Sequence, residues 1–204
     1  MTTDLSFLVV EDDGSVRRSI ARSLGAHGHV DTVGTCAAAL LALRARTFDG
    51  LVVDVRMPDG NGLDIVAPAR ERFPGIAVLV LTGYTEHDVI CRTRELRAGY
   101  LLKPCDVKQL ALLVEEVNDR RAARERRTRA IIERWTSDYR LTVTEAELLS
   151  LGADGVARES FAVRRGVRPE VVRRQIHMLL RKTGDDTFES AVNALLREAL
   201  AEPT

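Results

Sequence analysis

The first 118 residues alternate between short aliphatic runs and longer segments in which apolar residues recur every three or four positions. The short runs predict buried strands, and the longer segments predict amphipathic helices. The predicted strands cover residues 5–10, 30–33, 51–54, 76–81 and 100–103, and the predicted helices lie near 14–26, 36–46, 60–72, 86–96 and 106–118. Five successive strand and helix pairs are typical of an α/β fold with a parallel sheet covered by helices.

Beyond residue 118 the periodicity is helical, with helices predicted near 143–153, 157–165, 169–183 and 187–200. Eight arginines lie between Arg120 and Arg140, in a stretch without glycine or proline. Such a charge run is typical of a solvated helix that extends the last strand and helix pair, and a helical linker or dimer stalk is the alternative. The predicted domains are 1–118, the α/β domain; 119–140, an Arg-rich helical linker; and 141–204, a four-helix domain.

Composition adds a charge asymmetry to this division. The chain of 204 residues has a formal net charge of zero, but residues 1–118 carry 13 basic and 16 acidic side chains, and residues 119–204 carry 17 and 14. The three cysteines lack the spacing of a zinc site and do not form a disulfide framework. The sequence shows no leader pattern and no long apolar stretch, so we expect a soluble cytoplasmic protein without membrane contact.

Polar side chains stand at the carboxyl ends of the predicted strands: Glu11, Asp12, Asp54, Thr82 and Lys103. In parallel α/β sheets these strand ends surround the ligand crevice, so the five groups are expected to meet in one site. Three crowded carboxylates repel one another unless a cation lies among them. Magnesium fits because it binds through a few carboxylates and a phosphoryl group.

An aspartate carboxylate is a competent nucleophile toward phosphorus when the transferred oxygens are neutralised. The ammonium of Lys103 suits that neutralising role, and Thr82 suits a hydrogen bond to a phosphoryl oxygen. A single aspartate after a strand is more often a helix cap than a nucleophile. Five polar groups at equivalent strand ends instead favour a phosphoryl site at Asp54. Asp13, by contrast, fits the start of the first helix.

Four segments of the chain resemble the receiver domain of two-component response regulators over residues of about 4–120. They read LVVEDDGSVRRSI, LVVDVRMPDGNGLDIV, VLVLTGY and YLLKP. The resemblance implies a flavodoxin-like (βα)5 fold in which Asp54 accepts a phosphoryl group from a histidine kinase. It also implies that Thr82 and Lys103 contact that group, and that Tyr100 switches its rotamer together with Thr82.

The same resemblance implies the cofactor and its ligands. Mg²⁺ would be held by the side chains of Glu11, Asp12 and Asp54 and by the backbone carbonyl of Arg56. Phosphorylation adds about 1.5 to 2 negative charges to Asp54. The pull of this charge on Thr82 and Lys103 is expected to bias the receiver face formed by the fourth helix, fifth strand and fifth helix.

The carboxyl-terminal part predicts a helix-turn-helix. Residues 156–184 contain eight basic and two acidic side chains, an excess that favours phosphate backbones. On the predicted helix 169–183, Val172, Ile176, Leu179 and Leu180 share one face and the basic side chains share the other. Pro169 fits the first turn of that helix, after a glycine-containing turn. A four-helix domain with a solvated basic side is the alternative.

This part is similar, in degraded form, to the four-helix output domain of regulators related to quorum-sensing activators and nitrate-response regulators. The similarity covers residues 141–200, but Arg168 and Val171 replace the usual Ser and Thr, and Phe161 replaces an aliphatic residue. It implies an interface with double-stranded DNA, formed by Arg168, Arg173, Arg174, His177, Arg181 and Lys182. The last helix is interpreted as a homodimer contact on DNA, or equally as core packing.

The leading hypothesis is a response regulator, not an enzyme, in which phosphoryl transfer from a histidine kinase to Asp54 controls DNA binding and transcription. The alternative is a phosphorylation-controlled signalling adaptor whose carboxyl-terminal helical domain binds a protein. An aspartate-nucleophile phosphatase is disfavoured, because Arg56 stands where such an enzyme needs a second acid.

Overall fold

The structure is a computed structural model that describes residues 5–83, 87–104 and 106–200. The chain divides into two compact units between Arg121 and Ala122. None of the helices in the described ranges is long and apolar enough to cross a membrane.

The first unit contains a parallel sheet of five strands in the order β2-β1-β3-β6-β7. This is the flavodoxin-like order, in which the chain reverses direction across the sheet between β1 and β3. The strands are β1 (Leu5–Val10), β2 (Gly28–Val33), β3 (Gly50–Asp54), β6 (Ala77–Thr82) and β7 (Gly99–Leu102). The predicted flavodoxin-like fold is therefore confirmed.

Helices cover both faces of the sheet. They are α1 (Gly14–Leu24), α2 (Cys36–Ala45), α3 (Leu63–Arg72), α4 (His87–Glu95) and α5 (Ala111–Asp138), the last preceded by a 3-10 turn at Val107–Leu110. Because side chains alternate across a strand, Leu8 and Val10 of β1 pack in one core with α2 and α3 residues. Phe7 and Val9 pack in the other core with α1 and α5 residues.

The segment between β3 and α3 differs from the prediction. Helix α3 begins at Leu63, three residues later than expected, because residues 56–61 form a small antiparallel hairpin. Its strands are β4 (Arg56–Met57) and β5 (Gly60–Asn61). Period-two patterns cannot reveal strands of two residues, so hydrophobic periodicity gave no signal for them.

The second unit is helical. It contains the carboxyl-terminal part of α5, then α6 (Val143–Ala153), a 3-10 turn at Arg158–Ser160, α7 (Phe161–Arg165), α8 (Pro169–Thr183) and α9 (Phe188–Leu200). The expected all-helical second region is confirmed. A T-shaped contact between Phe161 and Phe188, with ring centroids 5.6 Å apart, lies in its core.

Residues 119–138 of the segment interpreted as a linker lie within α5, which ends at Asp138. Its last turns are part of the second core, because Ile132 and Trp135 are buried there. The indole Nε1–H of Trp135 donates to Glu198 Oε2 at 3.1 Å. The second hydrophobic core therefore begins before residue 141, where the sequence placed the start of the four-helix domain.

A buried ion pair joins α8 to the start of α6. Glu145 is 4% exposed, and its Oε2 accepts from Lys182 Nζ at 2.6 Å and from the backbone N–H of Thr142 at 2.7 Å. Burial raises the pKa of Glu145, but these bonds to Lys182 and Thr142 lower it by more, so the net shift is downward. The carboxylate is therefore charged and satisfied at neutral pH.

Replacing Lys182 with methionine is expected to destabilise the second unit by about 2 kcal/mol, because Glu145 is left buried without its cation. The pKa of Glu145 is depressed in the fold, so its contribution is present above the unfolded value and is lost as pH falls through the folded value. Urea unfolding followed by Trp135 fluorescence measures both effects, and the acid-dependent loss should be smaller in the variant.

The matched control is Arg173→Met, which breaks an ion pair to Glu170 whose side chains are 67% and 68% exposed. That change should cost less than about 0.5 kcal/mol, since exposed pairs contribute little. Equal costs for the two variants would contradict a stabilising role for the Glu145–Lys182 pair.

Candidate functional site

The carboxyl ends of four neighbouring strands bring the predicted strand-end residues together. Glu11 directly follows β1, Asp54 ends β3, Thr82 ends β6 and Lys103 directly follows β7. The site lies where the strand order reverses, the usual place for a ligand crevice in this fold. A backbone hydrogen bond holds Thr82 and Lys103 together, because the N–H of Lys103 donates to the carbonyl oxygen of Thr82 at 2.7 Å.

Lys103 is the centre of the polar contacts. Its Nζ donates to Glu11 Oε2 at 2.6 Å and to Asp54 Oδ2 at 2.8 Å. Glu11, Asp54 and Thr82 are buried, with 1%, 6% and 3% of their surfaces exposed. A single ammonium therefore bridges two buried carboxylates that come from different strands.

Burial and the neighbouring opposite charge shift the pKa values of Lys103 and Glu11 in opposite directions. Burial lowers the pKa of Lys103, but hydrogen bonds to Asp54 and Glu11 raise it by more, so its ammonium stays charged. Burial raises the pKa of Glu11, the charge of Asp54 adds to that effect, and Lys103 only partly offsets it. Glu11, Asp12 and Asp54 set three carboxylates against the one ammonium of Lys103, and this arrangement favours a further cation.

The donor set fits a hard divalent cation. Glu11, Asp12 and Asp54 each offer a carboxylate oxygen, and these atoms lie within 4.8 Å of one another. Asp12 is exposed, so the site opens to solvent. The backbone N–H of Arg56 donates to Asp54 Oδ1 at 3.4 Å, which places that peptide beside the carboxylates. An all-oxygen set that is open on one side suits Mg²⁺.

Asp13 does not join the carboxylate cluster. It is the N-cap of α1, where its Oδ1 accepts from the backbone N–H groups of Ser15 at 2.7 Å and Val16 at 3.0 Å. Hydrogen bonds from Ser15 and Val16 lower the pKa of Asp13 to about 2. The structure agrees with its interpretation as a helix-start residue.

Tyr100, the predicted partner of Thr82 in the switch, lies on the edge strand β7. It pairs with Val80 across the sheet and keeps 40% of its surface exposed. Its ring is therefore not part of the buried cluster.

Gly62 shapes the site, and no sequence pattern identified it. A Cβ atom at this position would lie 1.9 Å from the backbone oxygen of Asp54 and 2.7 Å from Val53 Cγ2. The backbone N–H of Gly62 also donates to Val55 O at 2.9 Å. The close approach of the chain to the Asp54 peptide therefore requires glycine.

Gly62→Ala is expected to lower the stability of the first unit by about 3 kcal/mol. The added methyl group would clash with the Asp54 peptide, and relieving the clash would displace Asp54. Thermal unfolding measures this loss. Gly75→Ala is the control, since a Cβ there has no neighbour within 4 Å. An unfolding temperature for Gly62→Ala equal to that of Gly75→Ala would contradict the close approach.

The second unit presents a basic surface on α8. Val172, Ile176 and Leu179 are buried, as the helical wheel predicted, and Leu180 is half-buried. The exposed side chains of the predicted DNA-contact set are Arg168, Arg173, Arg174, His177 and Arg181. Gly166, with φ of 63°, ends α7 in the left-handed conformation before the chain turns into α8, which gives the helix-turn-helix connection.

Two members of that predicted set have acidic partners. Lys182 is engaged by Glu145 and also donates to Arg140 O at 2.9 Å, so its ammonium is directed toward α6. Arg173 donates to Glu170 at 2.8 Å. In contrast, the side chain of Arg174 forms no hydrogen bond or ion pair with any other residue in the described part of the chain.

The last helix packs within its own unit. Its buried residues are Phe188, Ala191, Val192, Leu195 and Ala199. Core packing therefore accounts for one face of α9. The dimer contact predicted for this helix would have to use the opposite, exposed face, which includes Asn193 and Arg197.

Comparison with known proteins agrees with the geometry of the first unit. The family model of the response regulator receiver domain matches residues 7–115. The chain belongs to the response regulators. As a response regulator it is a component of a two-component system, as the sequence motifs around Asp54 predicted.

Two relatives extend over most of this response regulator. The DNA-binding transcriptional activator DevR/DosR of Mycobacterium tuberculosis is 30% identical over 188 residues, covering 86% of this chain and 87% of that protein. The transcriptional regulatory protein FixJ of Azorhizobium caulinodans is 30% identical over 174 residues, covering 84% and 82%. Both are named as transcription regulators.

Solved structures share the fold of the first unit. The chemotaxis response regulator CheY4 of Vibrio cholerae has a TM-score of 0.51 and 27% identity, and the match covers 56% of this chain and 99% of that one. This extent corresponds to the receiver part of the regulator.

Proposed function

We propose that this response regulator accepts a phosphoryl group on Asp54 from a histidine kinase, and that the modification controls binding of duplex DNA by the second unit. The observation that carries the proposal is the bridge from Lys103 to Asp54 and Glu11 in a cation-compatible crevice. The two relatives that match both parts of the chain are named as transcription regulators, which supports a DNA target.

The proposed step is an in-line transfer. A carboxylate oxygen of Asp54 attacks the phosphorus of a phosphohistidine and forms an acyl phosphate. The P–N bond breaks, and the imidazole leaves with the bonding electron pair and accepts a proton from solvent. Lys103, already bonded to Asp54, stabilises the charge on the transferred oxygens.

The remaining site residues hold the group and transmit the change. Glu11, Asp12 and Asp54, with the carbonyl of Arg56, would hold Mg²⁺, which when bound neutralises phosphoryl oxygens. Thr82 would donate its hydroxyl to the phosphoryl group. The resulting shift of Thr82 would let Tyr100 exchange its exposed rotamer for an inward one, and so alter the face around β7.

On the output side, Arg173, Arg174 and His177 would enter the major groove. Arg168, Arg181 and Lys182 would lie nearer the phosphates. A guanidinium without an acidic partner is free to bind guanine with two hydrogen bonds, and Arg174 meets that condition among the described residues. A homodimer on a palindromic site is the expected form on DNA. A regulator of chromosomal DNA acts in the cytoplasm, and no catalytic turnover is expected of it.

The adaptor alternative is favoured by one observation. Val171 and Met178, on the exposed side of α8, are 36% and 40% exposed. Apolar side chains within a basic face are also what a protein partner would bury.

A selection of duplexes from a random library tests the proposal. The purified chain would be used with and without acetyl phosphate and Mg²⁺, at one fixed salt concentration. Enrichment of a common sequence by the phosphorylated chain is expected. If no duplex is enriched in either condition, the adaptor becomes the better account.

A further inference from the structure

The loop that follows Asp54 is fixed at both of its ends. At its start, Val55 N–H donates to Leu81 O at 3.0 Å. At its end, the backbone N–H of Gly62 donates to Val55 O, and Gly62 lies against the Asp54 carbonyl. Between these points lies only the hairpin of β4 and β5, with two residue pairs. A hairpin this short is not stable by itself, so its position must come from a contact elsewhere.

Two contacts supply that position: Met57 is buried in the core of the first unit, and Asp59, at the turn of the hairpin, binds the start of α2. Asp59 Oδ1 accepts from the backbone N–H of Cys36 at 2.8 Å, and Oδ2 accepts from Ala37 at 2.9 Å. The two donors are the first residues of α2, where the helix has unsatisfied N–H groups and a partial positive charge. Hydrogen bonds from Ala37 and Cys36 lower the pKa of Asp59, so both oxygens accept as a carboxylate.

The thiol of Cys36 adds to these backbone bonds. Burial, together with the charge of Asp59, raises the pKa of Cys36 to about 11. The thiol therefore stays protonated at neutral pH and hydrogen-bonds Asp59 as well, beside the two backbone N–H groups that attach the hairpin to α2.

We propose that Asp59 is a positioning residue for the cation site, because it clamps the hairpin to α2 and so fixes the peptide of Arg56. The hairpin connects Asp59 directly to Arg56. Arg56 pairs with Asn61, and Met57 pairs with Gly60, on either side of the turn that contains Asp59. Arg56 in turn is bonded through its N–H to Asp54. This inference rests on the proposed function, in which the Arg56 carbonyl is a Mg²⁺ ligand.

Thr35 provides a matched control on the same helix end. It is the N-cap of α2, where its Oγ1 accepts from the backbone N–H of Ala38 at 3.1 Å. Thr35→Ala therefore removes one capping bond from α2, as Asp59→Ala removes two, but it leaves the bond between hairpin and helix in place. A loss of Mg²⁺ affinity that comes only from a weaker start of α2 would therefore appear in both variants.

The test is a calorimetric titration of the full chain with Mg²⁺, without a phosphoryl donor. Asp59→Ala is expected to bind Mg²⁺ about tenfold more weakly than the wild type, the usual effect of removing a residue that orients a ligand. Asp59→Asn, which keeps one carbonyl acceptor, should lie between them and remains informative if the alanine variant fails to fold. Thr35→Ala should bind within about twofold of the wild type.

Phosphorylation by acetyl phosphate gives a second readout. The Mg²⁺ concentration that half-saturates the rate should rise in Asp59→Asn, while the rate at saturating Mg²⁺ stays close to that of the wild type. Unchanged Mg²⁺ affinity in both Asp59 variants, or an equal loss in Thr35→Ala, would overturn the positioning role. If the wild type binds no Mg²⁺, the proposed cation site itself fails, and the inference fails with it.

Discussion

Asp54→Asn is expected to abolish phosphoryl uptake by this response regulator, a fall of more than about a thousandfold. A carboxamide is not a nucleophile toward phosphorus, and the neighbouring groups cannot replace it. Glu11 is bonded to Lys103, and its raised pKa reflects burial, while Asp12 is exposed outside the strand end. Phosphate-affinity electrophoresis after incubation with acetyl phosphate and Mg²⁺ measures the uptake, and hydroxylamine lability identifies an acyl phosphate.

The control for this change is Asp64→Asn. Asp64 lies on α3, is exposed and pairs with Arg92, so removing its charge leaves the crevice intact. Uptake by this variant should equal that of the wild type. Hydroxylamine-labile phosphate on Asp54→Asn at the wild-type level would place the acceptor elsewhere and contradict the proposed site.

Arg174→Ala is expected to weaken binding of the selected duplex by about thirtyfold, near 2 kcal/mol. The side chain lies on the exposed face of α8 and has no ionic partner in the described residues, so its donors are available to a base. Binding of unrelated duplexes should fall much less, because a base contact carries the sequence preference. Fluorescence anisotropy with both duplexes at one salt concentration measures the two losses.

Arg22→Ala is the matched control for Arg174→Ala. Arg22 is an exposed arginine in the last turn of α1, so its removal changes the net charge by the same amount away from the recognition helix. If both variants lose the same affinity for the selected duplex, Arg174 contributes only through general electrostatic attraction and not through a base contact. No loss in Arg174→Ala would favour the protein-binding adaptor.

The sequence predicted the sheet and the meeting of the polar strand ends because both follow from local patterns. Aliphatic runs that end in Glu11, Asp54 and Thr82 specify buried strands whose carboxyl ends share one edge. The bridge from Lys103 to both Glu11 and Asp54 depends on side-chain positions that no spacing specifies.

Other features depend on contacts between distant parts of the chain. Asp59 and the start of α2 are 22 and 23 residues apart, and a Pro-Asp-Gly turn looks the same whether or not its aspartate is anchored. Lys182 has the helical phase of a surface cation, yet it pairs with Glu145, 37 residues away. Hydrophobic periodicity identifies the face of a helix, but it does not identify which surface side chains find partners.

The boundary of the second hydrophobic core shows the same limit. The arginines after residue 119 mark a solvated helix, and α5 is helical there. Ile132 and Trp135 nevertheless belong to the second core, since isolated apolar residues in a charged helix become buried only when another element covers them.

The measurement that tests the central claim most directly is the affinity for the selected duplex before and after treatment with acetyl phosphate and Mg²⁺. The wild type and Asp54→Asn would be compared at the same salt concentration. The account predicts an affinity change of about tenfold in the wild type and none in the variant. An equal change in both proteins, or no change in the wild type, would contradict control of DNA binding by Asp54.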